Sequence, residues 1–339
     1  MTATVSPLAV LGAGSWGTAL AIQFARSGHP TRLWARDAEH RREMQADHCN
    51  RRYLPAAVFP ETLHVADSLA AALEGVSEVL IVVPSHAFRS VLHELAPRLA
   101  DDVRLAWATK GFELESGLLP HQIAREIFGE QRCFAVLSGP TFAREVGAGL
   151  PTAMTIAATD EVFATTLAES LSSGNFRAYT STDIVGVEVG GATKNVLALG
   201  AGLADGLGYG ANTRVALITR GLHEMTRLGV ALGARQETFM GLAGLGDLVL
   251  TSTDDQSRNR RFGLLLARGS TVDAALAEIG QVVEGYLAAR AIHQVALRQG
   301  VSMPICESIY RMLYEALPPP DVVKGLMSRP IKAEFDREA

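Results

Sequence analysis

Cysteine is scarce. Three residues in 339, Cys49, Cys133 and Cys306, are too few and too scattered for a disulfide framework, and none has the paired spacing of a metal site. Such usage suits a reducing compartment, with Cys133 reading as a packed strand residue. An excess of basic charge is also missing. The formal net charge is −5, so nucleic acid is not expected as a partner, and the short arginine run near position 258 is too brief to change that. The most apolar late stretch, Ile184 to Gly210, is broken by Glu188, Lys194 and Asp205, so no membrane-spanning segment is expected. No basic segment followed by an apolar core opens the chain, no secretory signal is evident, and a cytoplasmic location is expected. No internal repeat stands out. What remains is a chain 48% hydrophobic and long enough for two or three domains.

The most informative feature present is Gly12-Ala13-Gly14-Ser15-Trp16-Gly17. Leu8 to Leu11 before it reads as a strand and Thr18 to Ala25 after it as a helix, the context a dinucleotide-binding turn requires. Gly12 permits the turn, Gly14 lets a pyrophosphate approach the backbone, and Gly17 lets the helix pack on the sheet, with unpaired helix N–H groups facing the phosphates. The plain alternative is a glycine-rich strand-to-helix turn with no ligand. Gly28-His29-Pro30 forms a turn, and Thr31 to Trp34 reads as the second strand. An NAD site commonly ends this strand on an acid. Here Arg36 follows instead, either facing an adenosine 2′-phosphate or simply solvated, which favours NADP without excluding NAD; Asp37 reads as a helix cap.

Apolar runs at Val79–Val83 and Arg104–Ala108 extend a parallel sheet around a helix from Ala87 to Leu95. Pro84-Ser85-His86 and Thr109-Lys110-Gly111 fall in the loops beyond those strands, His86 reading as a loop or cap residue. Cys133 to Leu137 leads into Ser138-Gly139-Pro140-Thr141-Phe142-Ala143, and Ala153–Ala157 and Asn175–Thr180 complete the sheet around an intervening helix. The fold class is therefore α/β, with an N-terminal Rossmann-like dinucleotide-binding domain over residues 1–182. From Asp183 strand signals nearly vanish, so residues 183–339 read as a mostly α-helical C-terminal domain. Its helices are expected at Asp183–Asp205, Asn212–Leu232, Gln256–Arg268, Val283–Arg298 and Pro304–Leu313. Leu317-Pro318-Pro319-Pro320 breaks the last helices, and the tail after Arg329 is peripheral. The active site is expected where this domain meets the carboxyl edge of the sheet.

Lys194, in Gly190-Gly191-Ala192-Thr193-Lys194-Asn195, is the sharpest chemical candidate. A lysine in so apolar a helix must snorkel, pair or face a cleft, and Glu188 is not at the i,i+4 spacing of a local partner. Desolvation would lower its pKa toward acid–base work. Asp247, within the glycine-rich loop Gly241–Leu248, either orients Lys194, bonds a substrate hydroxyl or caps a helix. Ser257-Arg258-Asn259 at a helix start offers charge-assisted bonds to a small phosphate, or else a solvated face.

These motifs together resemble the bacterial-type NAD(P)-dependent glycerol-3-phosphate dehydrogenases over nearly the whole chain. The resemblance rests on Gly12–Gly17, Ala108–Gly111, Leu137–Ala143, Lys194-Asn195, Gly244–Asp247, Gln256–Gly263 and Val282–Gly285. It implies reversible reduction of dihydroxyacetone phosphate to sn-glycerol 3-phosphate, a supply step for glycerophospholipids, by a cytoplasmic homodimer that needs no metal. It also implies Lys194 as the proton-transfer residue, oriented with the substrate by Lys110 and Asp247. Gly139, Thr141, Ser257, Arg258 and Asn259 match substrate-side positions. Ser15, Trp16, Arg36, Tyr53, Ala143, Val282 and Glu284 match coenzyme positions, Lys110 and Arg258 standing on both sides. The rival readings are a related β-hydroxyacid or sugar-acid dehydrogenase and a nucleotide sensor without turnover.

Overall fold

The computed structural model describes residues 6–331, 333 and 334, so the end of the expected peripheral tail lies outside the described residues. In chain order the first half is β1 (Leu8–Leu11), α1 (Ser15–Arg26), β2 (Thr31–Trp34), α2 (Ala38–Asp47), β3 (Cys49–Asn50), β4 (Leu54–Val58), β5 (Leu63–Val65), α3 (Leu69–Leu73), β6 (Glu78–Ile81), α4 (Ser85–Leu95), β7 (Arg104–Trp107), α5 (Pro120–Phe128), β8 (Phe134–Ser138), α6 (Ala143–Ala148), β9 (Thr152–Ala158), α7 (Glu161–Leu171) and β10 (Phe176–Ser181). The second half is helical: α8 (Ile184–Gly206), α9 (Ala211–Ala231), α10 (Asp247–Thr253), α11 (Arg258–Ala267), α12 (Val272–Ile279), α13 (Glu284–Gln299), α14 (Pro304–Tyr314) and α15 (Pro319–Met327).

One sheet carries the first half, in the order β10-β9-β8-β7-β6-β1-β2-β5. Its central strands are buried on both faces: Leu8 and Val10 enter one apolar layer, Ala9 and Leu11 the other. Full burial explains why they read as continuous apolar runs rather than as alternating ones. Strand order reverses at β1, whose neighbours are β2 and β6, so the Gly12 turn sits at a topological switch point. The expected parallel sheet is mixed at one place: β9 pairs antiparallel with β8, while the other pairings are parallel. The connecting helix α6 rises only about 9 Å, too little to carry the chain back along β8 for a parallel return, so the strand folds back beside its predecessor.

The helical half is organised around α8. Nearly every residue from Ile184 to Ala204 is buried, as befits a helix apolar all round. It packs against α9, α10, α11, α13 and α14 and also reaches β8. The five expected helices are present with ends shifted by a residue or two, and Asp183 caps α8 by accepting from Gly186 N. Two expectations are corrected. The proline run does not only break helices, because Pro319 and Pro320 open α15, where their fixed φ and missing N–H cost nothing. The glycine-rich stretch is no open loop: Leu242–Gly246 forms a π-helical turn that runs straight into α10.

The tightest crossing is α8 on α11. A Cβ on Gly202 would lie 1.9 Å from Arg260 O, and one on Gly263 2.1 Å from Leu199 O, so only glycine lets the two backbones meet. A Cβ on Gly14 would touch nothing within 4 Å. Gly202→Ala is expected to destabilise by about 1–3 kcal/mol through overpacking, while Gly14→Ala leaves stability nearly unchanged. Thermal melts of the two variants beside wild type check the contrast.

Candidate active site

The glycine turn is shaped as its residue spacing requires. Gly12 holds φ +115°, and a Cβ there would fall 2.2 Å from Val82 O; one on Gly17 would fall 1.8 Å from Gly12 O. Both positions exclude any side chain, whereas the space over Gly14 is clear. Gly14 is the N-cap of α1 and no side chain caps its first N–H groups, leaving donors at the turn beside Ser15 and Trp16. This is a cradle of the right form for a dinucleotide pyrophosphate. Its floor is tied by Asn50, whose Nδ2 donates to Ala13 O at 2.8 Å and to Thr18 Oγ1 at 2.8 Å, while its Oδ1 pairs with His40 Nε2 at 2.9 Å. Nothing local in the sequence marks Asn50, because its partners lie far along the chain.

Arg36 is exposed just past the end of β2, and Asp37 caps α2 by accepting from Glu39 N and His40 N. Tyr53 is exposed on the turn before β4, its ring centroid 5.5 Å from that of His40. Ala143 begins α6, Val282 is exposed, and Glu284 begins α13.

Where the two halves meet, three charged side chains from three elements converge. Lys194 of α8 and Lys110 of the loop after β7 both donate to the Asp247 carboxylate at the start of α10, Lys110 at 2.7 Å to Oδ2 and Lys194 in close contact with Oδ1. All three are shielded: Asp247 is 1% exposed and Lys194 8%. Lys194 therefore pairs at the junction of the two halves and does not snorkel. Thr251, one turn after Asp247, accepts from Lys194 Nζ at 2.9 Å. Sequence reasoning passed over Thr251, although its i+4 spacing from Asp247 was a usable signal.

The approach depends on two glycines. A Cβ on Gly190 would stand 2.5 Å from Ala243 O in the π-helical turn, and one on Gly191 would stand 3.3 Å from both Lys110 Cγ and Ser138 Oγ. Burial pushes the Lys194 ammonium down to about 8; Asp247 opposes that shift and Lys110 reinforces it. Burial works against charge on Asp247, but Lys110 and Lys194 together hold its carboxyl below the usual aspartate range.

A second network adjoins the first along α8. Asn195 Oδ1 accepts from Asn259 Nδ2 at 2.8 Å, Asn195 Nδ2 donates to Glu284 Oε2 at 3.0 Å, and Asn259 Oδ1 accepts from Gly285 N at 2.8 Å. Asn259 and Glu284 thus meet through a residue adjacent to Lys194. The Ser257 hydroxyl caps α11 by accepting from Arg260 N, and Arg258 stays partly open with a contact to Gln281 Oε1 at 3.3 Å. From the sheet side, Gly139 (φ +156°) and Thr141 follow β8, Thr141 Oγ1 donating to Gly139 O at 3.2 Å. Gln256 Nε2 donates to Glu145 Oε1 of α6 at 2.9 Å, joining the two halves. A separate cavity of about 440 Å³, lined by His121, Arg125, Asp183 and Arg235 among others, opens at the opposite edge of the sheet and holds none of these groups.

Comparison with known proteins shows the family to which the chain belongs. The family model described as NAD-dependent glycerol-3-phosphate dehydrogenase N-terminus matches residues 7–164, and that described as the C-terminus matches residues 183–324. The chain is 55% identical over 328 residues to a glycerol-3-phosphate dehydrogenase (NAD(P)+) of Aeromonas hydrophila, covering 96% of this chain and 98% of the relative. It is 56% identical over 331 residues to the protein of that name in Methylococcus capsulatus, covering 97% and 99%. The crystal structure of glycerol-3-phosphate dehydrogenase from Coxiella burnetii superposes with a TM-score of 0.92 at 48% identity, covering 96% of this chain and 99% of that one. A ketopantoate reductase from Ralstonia eutropha, at 18% identity and a TM-score of 0.59, shares the fold alone. With both family models matched in order and relatives aligned almost end to end, the chain belongs to the NAD-dependent glycerol-3-phosphate dehydrogenase family, in its bacterial NAD(P)-dependent form.

Proposed function

We propose that this site interconverts dihydroxyacetone phosphate and sn-glycerol 3-phosphate with an NAD(P) coenzyme, as a supply step for glycerophospholipids. The observation that carries the reading is the buried Lys194–Asp247–Lys110 cluster standing beside the Asn195–Asn259–Glu284 network. In this reading residues 1–182 bind coenzyme and residues 183–339 supply most of the substrate site. Gly12, Gly14, Ser15, Trp16 and Gly17 hold the pyrophosphate end, with Arg36, Tyr53, Ala143, Val282 and Glu284 lining the rest. When bound, the nicotinamide exchanges a hydride with the substrate carbon.

Lys194 gives its proton to the C2 oxygen during reduction and takes it back during oxidation. A pKa near 8 suits both directions near neutral pH. Lys110 adds positive charge where the alkoxide develops, and Asp247 holds the two ammonium groups at a fixed separation. Ser257, Arg258 and Asn259 bind the phosphate through charge-assisted bonds, and Gly139 and Thr141 close the sheet side, so that the carbonyl is held toward Lys194. The net charge of −5 supports the expectation of no nucleic-acid partner, and no helix among the described residues is long and apolar enough to cross a membrane. The assembly proposed is a cytoplasmic homodimer, which light scattering on the purified protein tests.

Lys194→Ala is expected to cut turnover by about 10²–10⁴-fold while leaving coenzyme affinity intact; cofactor binding with no turnover in the wild-type protein would instead favour the sensor. Because the charged Lys194 is the proton donor and its pKa is lowered to about 8, reduction should fall as pH rises through that value and oxidation should rise through it. Asp247→Asn removes the opposing charge, so both limbs should move to lower pH; kcat profiles in the two directions measure this. For coenzyme choice, NADPH is favoured over NADH through Arg36. Arg36→Ala is expected to raise KM for NADPH about tenfold, in line with loss of a charged hydrogen bond, with little change for NADH. Equal efficiencies with both coenzymes before and after the substitution would remove that role.

A further inference from the structure

Glu188 is a buried acidic residue that the chemistry above leaves unused. It sits on α8 and is 3% exposed. All its partners come from the sheet half of the molecule: Oε1 accepts from Trp107 Nε1 at 2.9 Å and from His121 N at 3.0 Å, and Oε2 meets His121 Nδ1 at 2.5 Å. Trp107 is itself immobilised, with ring centroids 5.6 Å from Phe88 and 5.8 Å from Phe134. It ends β7, three residues before Lys110, while Glu188 precedes Lys194 on α8 by six residues, or about 9 Å along the axis. The two lysines that share Asp247 are therefore attached to the two sides of this one contact.

We propose that Glu188 is a positioning residue for the proton-transfer step, a proposal that rests on the reading of Lys194 given above. Apolar packing alone lets a helix of small residues rotate or slide by fractions of an ångström. Three directional bonds to one carboxylate, one from Trp107 of β7 and two from His121 of α5, set both the rotation and the height of α8 against the sheet half, and so the place of Lys194 relative to Lys110 and Asp247. A buried carboxylate would be a costly way merely to hold two elements together, since apolar residues of similar volume do that at least as well. What it adds is direction. An ångström of misplacement at a reacting group costs on the order of 10²-fold in rate.

The test compares Glu188→Ala, Glu188→Gln and His121→Ala, each assayed below its own melting transition with dihydroxyacetone phosphate and NADPH. The alanine variants are expected to lose about 10–100-fold in kcat, with KM and coenzyme Kd within about threefold of wild type, and to move the alkaline limb of kcat to lower pH as Lys194 separates from Asp247. Glu188→Gln keeps an oxygen for Trp107 and His121 N and turns its amide NH2 to donate to neutral His121 Nδ1, so all three directional bonds persist, whereas His121→Ala leaves Oε2 without a partner; the glutamine variant should restore most of kcat. Melting temperatures that fall while kcat and the pH limb stay at wild-type values would overturn the proposal, as would a folded Glu188→Gln as slow as the alanine variant. If Glu188→Ala does not fold, His121→Ala carries the test, because it leaves the Trp107 and backbone bonds in place. Wild-type turnover in Lys194→Ala would sink the reading of Lys194 itself; an inactive Lys194→Ala beside a normal Glu188→Ala would sink only the positioning role.

Discussion

A carboxylate shut away from water must be paired, and the pairing of Asp247 organises this molecule. Its two ammonium partners come from different halves of the chain, Lys110 beyond β7 and Lys194 within α8. Removing either leaves charge buried without full compensation, which is far more costly than the net worth of the pair. The two halves are thus held to one geometry by the same contact that creates a lysine with a lowered pKa. The surrounding sequence serves that contact: Gly190 admits the π-helical turn that delivers Asp247, and Gly191 admits Lys110 from the sheet side.

α8 is the element through which the parts communicate. On successive faces it presents Glu188 to the sheet half, Lys194 to Asp247 and Asn195 to the asparagine and glutamate that stand at the starts of α11 and α13. A helix with those duties cannot expose a polar side, so Glu188 and Lys194 are buried and individually satisfied. Small residues on the remaining faces let five helices come close. The same compactness leaves α8 little freedom to tilt, which places a premium on where each of its polar side chains finds its partner.

Much of this was legible because it is local. The glycine spacing of residues 12 to 17 acts within one turn, and the structure shows steric exclusion at Gly12 and Gly17 with open space at Gly14. Apolar runs marked the central strands, and the loss of strand signals at Asp183 marked the onset of the helical half. Lys194 stood out because an apolar helix gives a lysine few options. Other features were illegible for an equally physical reason. Asn50, Thr251 and Glu188 act through partners brought from elsewhere, and the direction of β9 turns on the length of α6 rather than on any pattern in the strand. Pro319 and Pro320 read as breakers, yet helix starts tolerate the same residues.

The sequence by itself determined the strand–turn–helix at the glycine motif, the class of each half and the residue types available for proton transfer and phosphate binding, since propensity, periodicity and turn chemistry operate over a few residues. Only the tertiary structure decided that Lys110, Lys194 and Asp247 share one buried cluster, that Asn195 joins Asn259 to Glu284, and that Glu188 turns away from Lys194 toward the sheet. Those choices depend on desolvation and on hydrogen-bond direction across distances that no local pattern encodes.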